Sequence, residues 1–243
     1  MRKVSPISVD KGNETVHTIQ MPVPRLIIFD FDGVIADSET LACAVLADII
    51  SDLGHPITTD EAIRLFTGLR SQECYAAIEK IINRPLPLDF VSLLTKRRSA
   101  SFERELTAVE GVQDYIRTFA STPQCIASQS SLEYLAFCLK IIGLAESFQD
   151  AVFSAAGMER GKPHPDIYLH AAKKMGVEPA QAIVVEDSVL GVQAGVSAGA
   201  TVIGLLAGSH ILSGHEQSLR EAGAHHIART FAEATDVTRS LFS

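Results

Sequence analysis

Short aliphatic runs alternate with amphipathic helical segments along most of the chain. The runs predict six strands, of which the last is weak, at positions 26–29, 125–127, 151–153, 182–185, 201–206 and 226–228. Between most of them, apolar residues recur at helical spacing, over 132–143, 167–175 and 189–198. Strands that alternate with helices favour a parallel sheet covered on both faces. The pattern therefore predicts an α/β fold with a Rossmann-like parallel-sheet core.

The stretch from residue 40 to residue 106 breaks this alternation, because it contains no convincing strand. Apolar residues at helical spacing, interrupted by glycine and proline, predict helices over 41–53, 60–66, 71–82 and 88–102. We therefore predict an all-helical cap inserted after the first strand. The resulting division has a flexible leader, an α/β core in two segments and the cap: 1–22, then 23–38 with 108–243, and 39–107.

Composition and charge narrow the classes of partner. Hydrophobic residues make up 47% of the 243-residue chain, aromatic residues are few and tryptophan is absent, so we expect a large aliphatic core. The formal net charge of −8 disfavours nucleic acid and anionic membranes as partners. The basic run 96–98 is interpreted as the solvated face of a helix. A monomer is the default expectation.

The cysteines indicate the redox environment in which the protein resides. Cys43, Cys74, Cys125 and Cys138 show no paired spacing and lie in apolar or helical surroundings. They are typical of small buried side chains in a reducing environment rather than of disulfides or zinc ligands. No stretch is long and apolar enough to span a bilayer, and residues 1–22 lack the apolar centre of a signal peptide. We therefore predict a cytoplasmic location.

Two aspartates lie where the first predicted strand ends. Asp30 and Asp32 follow the apolar run 26–29, and they project to the same side of an extended chain. Two adjacent carboxylates repel each other and resist burial, so they fit a site where a cation and an anionic substrate lie between them. Gly33 allows the backbone to approach a ligand or to turn sharply.

Polar groups also follow three later strands. The segment 128–131 (Ser-Gln-Ser-Ser) offers hydroxyls and backbone donors just before a helix, where anions are attracted. Lys162 lies in a Gly-Lys-Pro-His-Pro segment after the third strand, and Glu186 and Asp187 end the fourth. Because ligands bind at the carboxyl ends of parallel strands, we expect these groups to converge.

The converging groups predict a particular chemistry. Carboxylates bind a hard divalent cation such as Mg²⁺ through oxygen, whereas the lysine and the serine-rich segment fit a phosphate group. A carboxylate nucleophile beside a metal and a phosphate clamp indicates phosphoryl transfer through an aspartyl-phosphate.

The residues resemble the signature motifs of the haloacid dehalogenase-like superfamily of phosphohydrolases, from about residue 26 to the end of the chain. Four motifs occur in order, each after its own strand: Asp30-Phe31-Asp32-Gly33-Val34, Ile126-Ala127-Ser128, Gly161-Lys162-Pro163-His164-Pro165-Asp166 and Val185-Glu186-Asp187-Ser188. The helical insertion is similar to the cap of the subfamily that contains beta-phosphoglucomutase and the phosphoglycolate and sugar-phosphate phosphatases.

The resemblance implies roles for the matching residues. Asp30 is expected to attack phosphorus, and Asp32 to act as general acid and then as general base. The implied ligands of Mg²⁺ are Asp30, the backbone carbonyl of Asp32, and Asp187, with Glu186 directly or through water.

Phosphate binding is implied for a wider set. Ser128 and Lys162 complete the expected catalytic residues, with Lys162 neutralising the growing negative charge and keeping Asp30 ionised. The expected phosphate and substrate contacts are Gly33, Val34, Ser128, Gln129, Ser130, Lys162 and Arg70. Plainer interpretations are a buried hydroxyl for Ser128, a solvated loop lysine for Lys162, helix caps for Glu186 and Asp187, and an exposed helix-start arginine for Arg70.

The resemblance implies a Mg²⁺-dependent phosphatase acting on a small phosphorylated metabolite, such as a sugar phosphate. Two alternatives stay open: a sugar-phosphate mutase of the beta-phosphoglucomutase type, and a binding protein of the same fold without catalysis. The mutases carry a cap histidine ten residues after the second aspartate of the first motif, and Ala42 stands at that position. Because alanine offers no imidazole, we expect net hydrolysis.

Overall fold

The computed structural model describes residues 23–242, so the predicted leader 1–22 lies outside the described residues. Six parallel strands form one sheet in the order β3-β2-β1-β4-β5-β6. Their bounds are β1 Leu26–Phe29, β2 Gln124–Ser128, β3 Val152–Ser154, β4 Ala182–Glu186, β5 Thr201–Leu205 and β6 His226–Ala228. The predicted α/β class is confirmed.

Helices follow the strands as a parallel sheet requires. Those of the core are α5 Val112–Thr118, α6 Leu132–Ile141, α7 Ala145–Phe148, α8 Asp166–Met175, α9 Val189–Ser197, α10 His215–Glu221 and α11 Phe231–Leu241, with a 3₁₀ turn at Pro179–Gln181. The cap helices are α1 Glu39–Asp52, α2 Thr59–Phe66, α3 Ser71–Ile82 and α4 Phe90–Glu105.

Strand β1 occupies the centre of the sheet between β2 and β4. Its four side chains are all buried, with Ile27 and Phe29 packed into the apolar cluster on one face and Leu26 and Ile28 into the cluster on the other. Because both faces are covered by helices, the strand carries an unbroken apolar run rather than an alternating one. This burial fixes the position of the residues that follow β1.

The cap helices form a hydrophobic cluster of their own. Residues such as Ile50, Ile63 and Ile78 belong to it, whereas Phe102 and Leu106 pack with the core of the sheet. The helical insertion after β1 is therefore present, although its proposed bounds at residues 39 and 107 stay a prediction. No helix within residues 23–242 is both long enough and apolar enough to cross a membrane.

Several predicted bounds were wrong by one to three residues. Strand β3 begins and ends one residue later than expected, and α4 begins at Phe90 and continues to Glu105. Before α4, the chain forms a turn in which the backbone N–H of Phe90 donates to the carbonyl oxygen of Pro87, and the helix begins two residues later than expected. Cys43, Cys125 and Cys138 are buried as expected, but Cys74 is only half-buried; all four are free thiols.

Candidate active site

The polar groups predicted from the motifs meet at the carboxyl edge of the sheet. Asp30 follows β1, Ser128 ends β2 and Glu186 ends β4, and these three strands are direct neighbours. The chain proceeds from β1 to β2 on one side and later returns to β4 on the other. The site therefore lies where the strand order reverses, which is the usual ligand position in such sheets.

Lys162 is the buried cation of this edge. Its Nζ lies 2.6 Å from Oδ1 of Asp30 and 2.6 Å from Oε1 of Glu186, and the residue is only 5% exposed. Burial acts to lower the pKa of Lys162, but the charges of Asp30 and Glu186 outweigh it and hold that pKa well above its usual value. The interpretation of Lys162 as a solvated loop residue was therefore wrong.

Glu186 is held by donors on both carboxylate oxygens. Oε1 accepts hydrogen bonds from Lys162 and from the hydroxyl of Tyr168 at 2.8 Å, and Oε2 accepts from the N–H and hydroxyl of Ser188. Burial favours the neutral acid, but Lys162 overrides it and lowers the pKa of Glu186. Gly191 permits this arrangement, because a Cβ there would lie 1.6 Å from Oε1 of Glu186.

Three buried carboxylates offer a site for a cation. Asp30, Glu186 and Asp187 can each present one oxygen, and these oxygens lie within 4.8 Å of one another. Burial raises the pKa of both Asp30 and Asp187, even though Lys162 opposes the shift at Asp30 and His210 opposes it at Asp187. A set of hard oxygen donors with excess negative charge fits Mg²⁺.

Asp187 has supports that the motifs did not reveal. Nε2 of His210 lies 3.1 Å from its Oδ2, and Nε2 of His215 lies 2.5 Å from its carbonyl oxygen. Nδ1 of His210 is buried and has no hydrogen-bond partner among residues 23–242. Gly33 has a φ of +78°, and a Cβ there would lie 1.9 Å from Oδ2 of Asp187. Glycine is therefore required at this position, because it tolerates the positive φ and has no Cβ to clash with Asp187.

The side chain of Asp32 lies outside the three-carboxylate group and is held by three hydroxyls. Ser38 donates to Oδ1 at 2.6 Å, Tyr134 donates to Oδ1 at 2.7 Å and Ser130 donates to Oδ2 at 2.8 Å. Asp32 therefore faces a different environment from Asp30. Two carboxylates in separate surroundings can hold different protonation states, as acid–base and nucleophilic roles require.

The segment after β2 is ordered by its own side chains. The hydroxyl oxygen of Ser128 accepts from the N–H of Ser130 at 3.0 Å, and the side-chain oxygen of Gln129 accepts from the N–H of Lys162 at 3.1 Å. The carbonyl of Ser130 accepts from the hydroxyl of Ser154 at 2.6 Å. These bonds place the hydroxyl of Ser128 at the edge of the sheet, buried beside the strand that carries Asp30.

A cavity of about 560 Å³ separates the sheet edge from the cap. Its core side includes Asp32, Ser130 and Tyr134, and its cap side includes Arg70 and Arg98. The guanidinium of Arg98 lies 5.0 Å from the ring centroid of Tyr134, so the interpretation of the run 96–98 as entirely solvated was wrong for this residue. A cavity of this size accommodates a small metabolite.

Arg70 lies at the cap side of the cavity but is paired within its own helix turn. Its Nη2 lies 2.6 Å from Oε1 of Glu73, and its side chain is 58% exposed. The proposed contact between Arg70 and the substrate stays a prediction. The backbone of Gly33 and Val34 lies directly after Asp32, and their predicted contacts with phosphate likewise stay a prediction.

Comparison with known sequences decides the family. The sequence profile of the haloacid dehalogenase-like hydrolases matches residues 27–205, which is more than half of the chain. This chain belongs to the haloacid dehalogenase-like hydrolase family. The match begins within β1 and ends with β5, so it includes every strand that borders the site.

Individual haloacid dehalogenase-like hydrolases resemble the chain over most of their length. It is 31% identical to hexitol phosphatase B of Escherichia coli over 73% of this chain and 83% of that protein. It is 27% identical to 6-phosphogluconate phosphatase of Escherichia coli over 76% of this chain and 83% of that protein. A family hydrolase of Deinococcus radiodurans, crystallised with bound phosphate and sodium, gives a TM-score of 0.74 at 31% identity, covering 90% of this chain and 96% of that one.

The sequence motifs of this haloacid dehalogenase-like hydrolase did not reveal five supporting residues: Ser38, Tyr134, Tyr168, His210 and His215. Ser38 lies directly before α1, and a serine before a helical pattern is a recognisable cap signal. The loop with His210 follows the carboxyl end of β5, so the strand-end argument could have included it. The two tyrosines lie within helices and carry no comparable signal.

Proposed function

We propose that this chain is a Mg²⁺-dependent phosphatase that hydrolyses a small phosphorylated metabolite through an aspartyl-phosphate on Asp30. The observation that carries the proposal is the buried lysine between two carboxylates, with Nζ of Lys162 2.6 Å from both Asp30 and Glu186. A structural salt bridge does not need a third carboxylate, Asp187, facing the same space. A site for a cation and a phosphate needs all of them.

The proposed reaction has two steps at one phosphorus atom. In the first, a carboxylate oxygen of Asp30 attacks phosphorus, and the bond to the leaving alcohol breaks while Asp32 gives that oxygen a proton. In the second, Asp32 accepts a proton from water, which attacks the acyl phosphate and releases inorganic phosphate. Lys162 opposes the effect of burial on Asp30 and so favours its ionised form, and it faces the negative charge of the transferred group.

Asp30 and Asp187 are the side chains that would hold Mg²⁺, together with the proposed backbone carbonyl of Asp32 and with Glu186 directly or through water. Bound Mg²⁺ supplies positive charge that offsets the oxygens of the phosphoryl group. The hydroxyl of Ser128 and the donors of the segment after β2 are proposed to bind the remaining phosphate oxygens. Haloacid dehalogenase-like enzymes named as phosphatases support the proposed phosphatase activity.

The proposed substrates are phosphate monoesters of sugars, sugar acids or polyols. The names of the two relatives, a hexitol phosphatase and a 6-phosphogluconate phosphatase, favour this class. Arg70 and Arg98 line the cap side of the cavity, and Arg70 is paired there with Glu73. A cytoplasmic location and a monomeric state stay predictions, the first supported by the four free thiols.

We expect phosphate release from small phosphate monoesters to require added Mg²⁺ and to stop when the metal is removed. Chelation leaves three buried carboxylates facing one lysine. The excess negative charge of this group repels an anionic ester. The measurement is inorganic phosphate released across a panel of phosphorylated metabolites, before chelation, after it and after Mg²⁺ is restored. Binding of a phosphorylated metabolite without any turnover would instead support the non-catalytic binding protein.

We expect a sugar 1-phosphate to give free sugar and inorganic phosphate rather than a sugar 6-phosphate. Ala42 lines the cavity and cannot act as the imidazole of the mutases, so water is expected to take the phosphoryl group. Phosphorus NMR of the reaction mixture distinguishes the two products. A sugar 6-phosphate formed without free phosphate would contradict hydrolysis and favour the mutase.

A further inference from the structure

The hydroxyl of Tyr134 is a contact of the active site that the two-step mechanism does not use. It donates to Oδ1 of Asp32 at 2.7 Å, and Tyr134 belongs to α6 in the core rather than to any motif. Ser38 donates to the same oxygen at 2.6 Å, whereas within residues 23–242 the only donor to Oδ2 is the hydroxyl of Ser130. The two oxygens of Asp32 are therefore not equivalent.

This difference bears on where Asp32 can carry a proton. An oxygen that already accepts two hydrogen bonds is poorly placed to be the protonated one, because a donor would then face a donor. Oδ2 meets a single hydroxyl, that of Ser130, which can rotate and accept instead. The proton that leaves with the alcohol is therefore expected on Oδ2, with Oδ1 held by Tyr134 and Ser38.

The ring of Tyr134 is fixed from several sides. Phe31 meets it edge-on with ring centroids 6.4 Å apart, and Phe102 lies at 6.1 Å. Arg98 of the cap helix α4 covers the ring at 5.0 Å. Burial and the neighbouring charge of Asp32 raise the pKa of Tyr134 well above its usual value, so its hydroxyl stays a donor. A rigid donor of this kind sets the rotation of the carboxylate that it binds.

We propose that Tyr134 is a positioning residue that orients Asp32 so that Oδ2 delivers its proton to the leaving oxygen. The inference rests on the proposed function, because it needs Asp32 to act as the general acid. Arg98 packs on the same ring and thereby links the position of the cap to the orientation of Asp32.

The experiment uses Tyr134→Phe and phosphate esters that differ in their need for a proton. Phenylalanine keeps the ring between Phe31, Phe102 and Arg98 and removes only the hydroxyl. Phenyl phosphate and p-nitrophenyl phosphate have similar shapes, but phenolate leaves far less readily without a proton than p-nitrophenolate. The measurement is kcat/KM for both esters, which reports on the first phosphoryl transfer.

We expect kcat/KM for phenyl phosphate to fall about tenfold or more, and that for p-nitrophenyl phosphate to fall less than about twofold. The ratio of the kcat/KM values for the two esters does not depend on the fraction of folded enzyme, so partial misfolding cannot change it. The matched control is Tyr115→Phe, which removes a buried hydroxyl of the same apolar cluster that is bonded to Thr238 at 2.6 Å and not to Asp32. Its ratio should equal that of the unaltered protein.

An equal loss with both esters would overturn the inference, because it would indicate a general effect on binding or packing. A changed ratio in Tyr115→Phe would overturn it as well. If the unaltered protein hydrolyses neither ester nor any metabolite, the proposed function fails and the inference fails with it. If the unaltered protein hydrolyses the esters but Tyr134→Phe leaves the ratio of the two kcat/KM values unchanged, the inference is wrong while the proposed function stands.

Discussion

Replacing Asp30 with asparagine is expected to reduce phosphate release about ten-thousandfold or more, while leaving the fold intact. Asparagine has nearly the same shape as aspartate, but its amide oxygen is a poor nucleophile and cannot form the acyl phosphate. The change also removes one of the two charges that face Lys162, at 2.6 Å. The measurement is kcat with the best substrate of the metabolite panel, together with the melting temperature.

The matched control is Asp114→Asn, an exposed aspartate of α5 that forms an ion pair with Arg117. We expect its kcat to stay within about twofold of the unaltered protein, as for a surface change. Borohydride added during turnover reduces an acyl phosphate and would mark residue 30 as homoserine in a peptide digest. Undiminished phosphate release by Asp30→Asn, or a mark on another residue, would contradict the nucleophile assignment.

The four central strands could be predicted because each is a largely apolar run that is buried on both faces. Leu26–Phe29 and Ala182–Glu186 are the clearest cases, and they lie side by side at the centre of the sheet. The weak pattern of His226–Ala228 belongs to an edge strand, which is paired on one side only and is less buried than the central strands. The strength of the sequence signal follows burial for β6 but not for β3, the other edge strand, whose residues are all only half-buried.

The candidate site was predictable where its residues directly follow strands. Asp30, Ser128 and Glu186 stand at the carboxyl ends of adjacent parallel strands, so topology alone brings them together. Tyr134 and Tyr168 lie within helices, where the direction of a side chain depends on how the helix packs against the sheet. Helical periodicity predicts that these residues are buried, but it does not predict the carboxylate that each one meets.

Arg98 is another residue whose direction the sequence did not predict. Its place in a basic run at positions 96–98 is typical of a solvated helix face, but α4 turns Arg98 alone toward the cavity, where it covers Tyr134. Lys96 is exposed, as the charge pattern predicts. The direction of one residue in a charged run depends on the packing of the cap against the core, which no local pattern encodes.

Replacing Lys162 with methionine is expected to damage both stability and catalysis. Methionine fills a similar volume but leaves Asp30 and Glu186 buried without their shared cation. Removing one partner of a buried ion pair typically costs about 3–5 kcal/mol in the free energy of unfolding. Phosphate release is also expected to fall about a hundredfold or more, because the charge on the transferred group is no longer offset. Thermal or urea unfolding in metal-free buffer measures the first effect.

The stability loss should depend on pH in a defined direction. Without Lys162, burial and mutual repulsion raise the folded-state pKa of Asp30 further, and they raise that of Glu186, which Lys162 otherwise lowers, above its value of about 4 in the unfolded chain. A raised carboxyl pKa favours the folded state at low pH and disfavours it as pH rises toward the folded-state value. The gap in unfolding free energy between Lys162→Met and the unaltered protein should therefore be larger at pH 8 than at pH 5.

The control is Lys173→Met, which removes an exposed lysine of the neighbouring helix α8. It should change the unfolding free energy by less than about 0.5 kcal/mol at both pH values. The buried lysine and the surface lysine therefore test the same change of residue in opposite environments. A Lys162→Met protein as stable as the control at pH 8 would mean that Asp30 and Glu186 are not both ionised beside Lys162, and the proposed electrostatics of the site would be wrong.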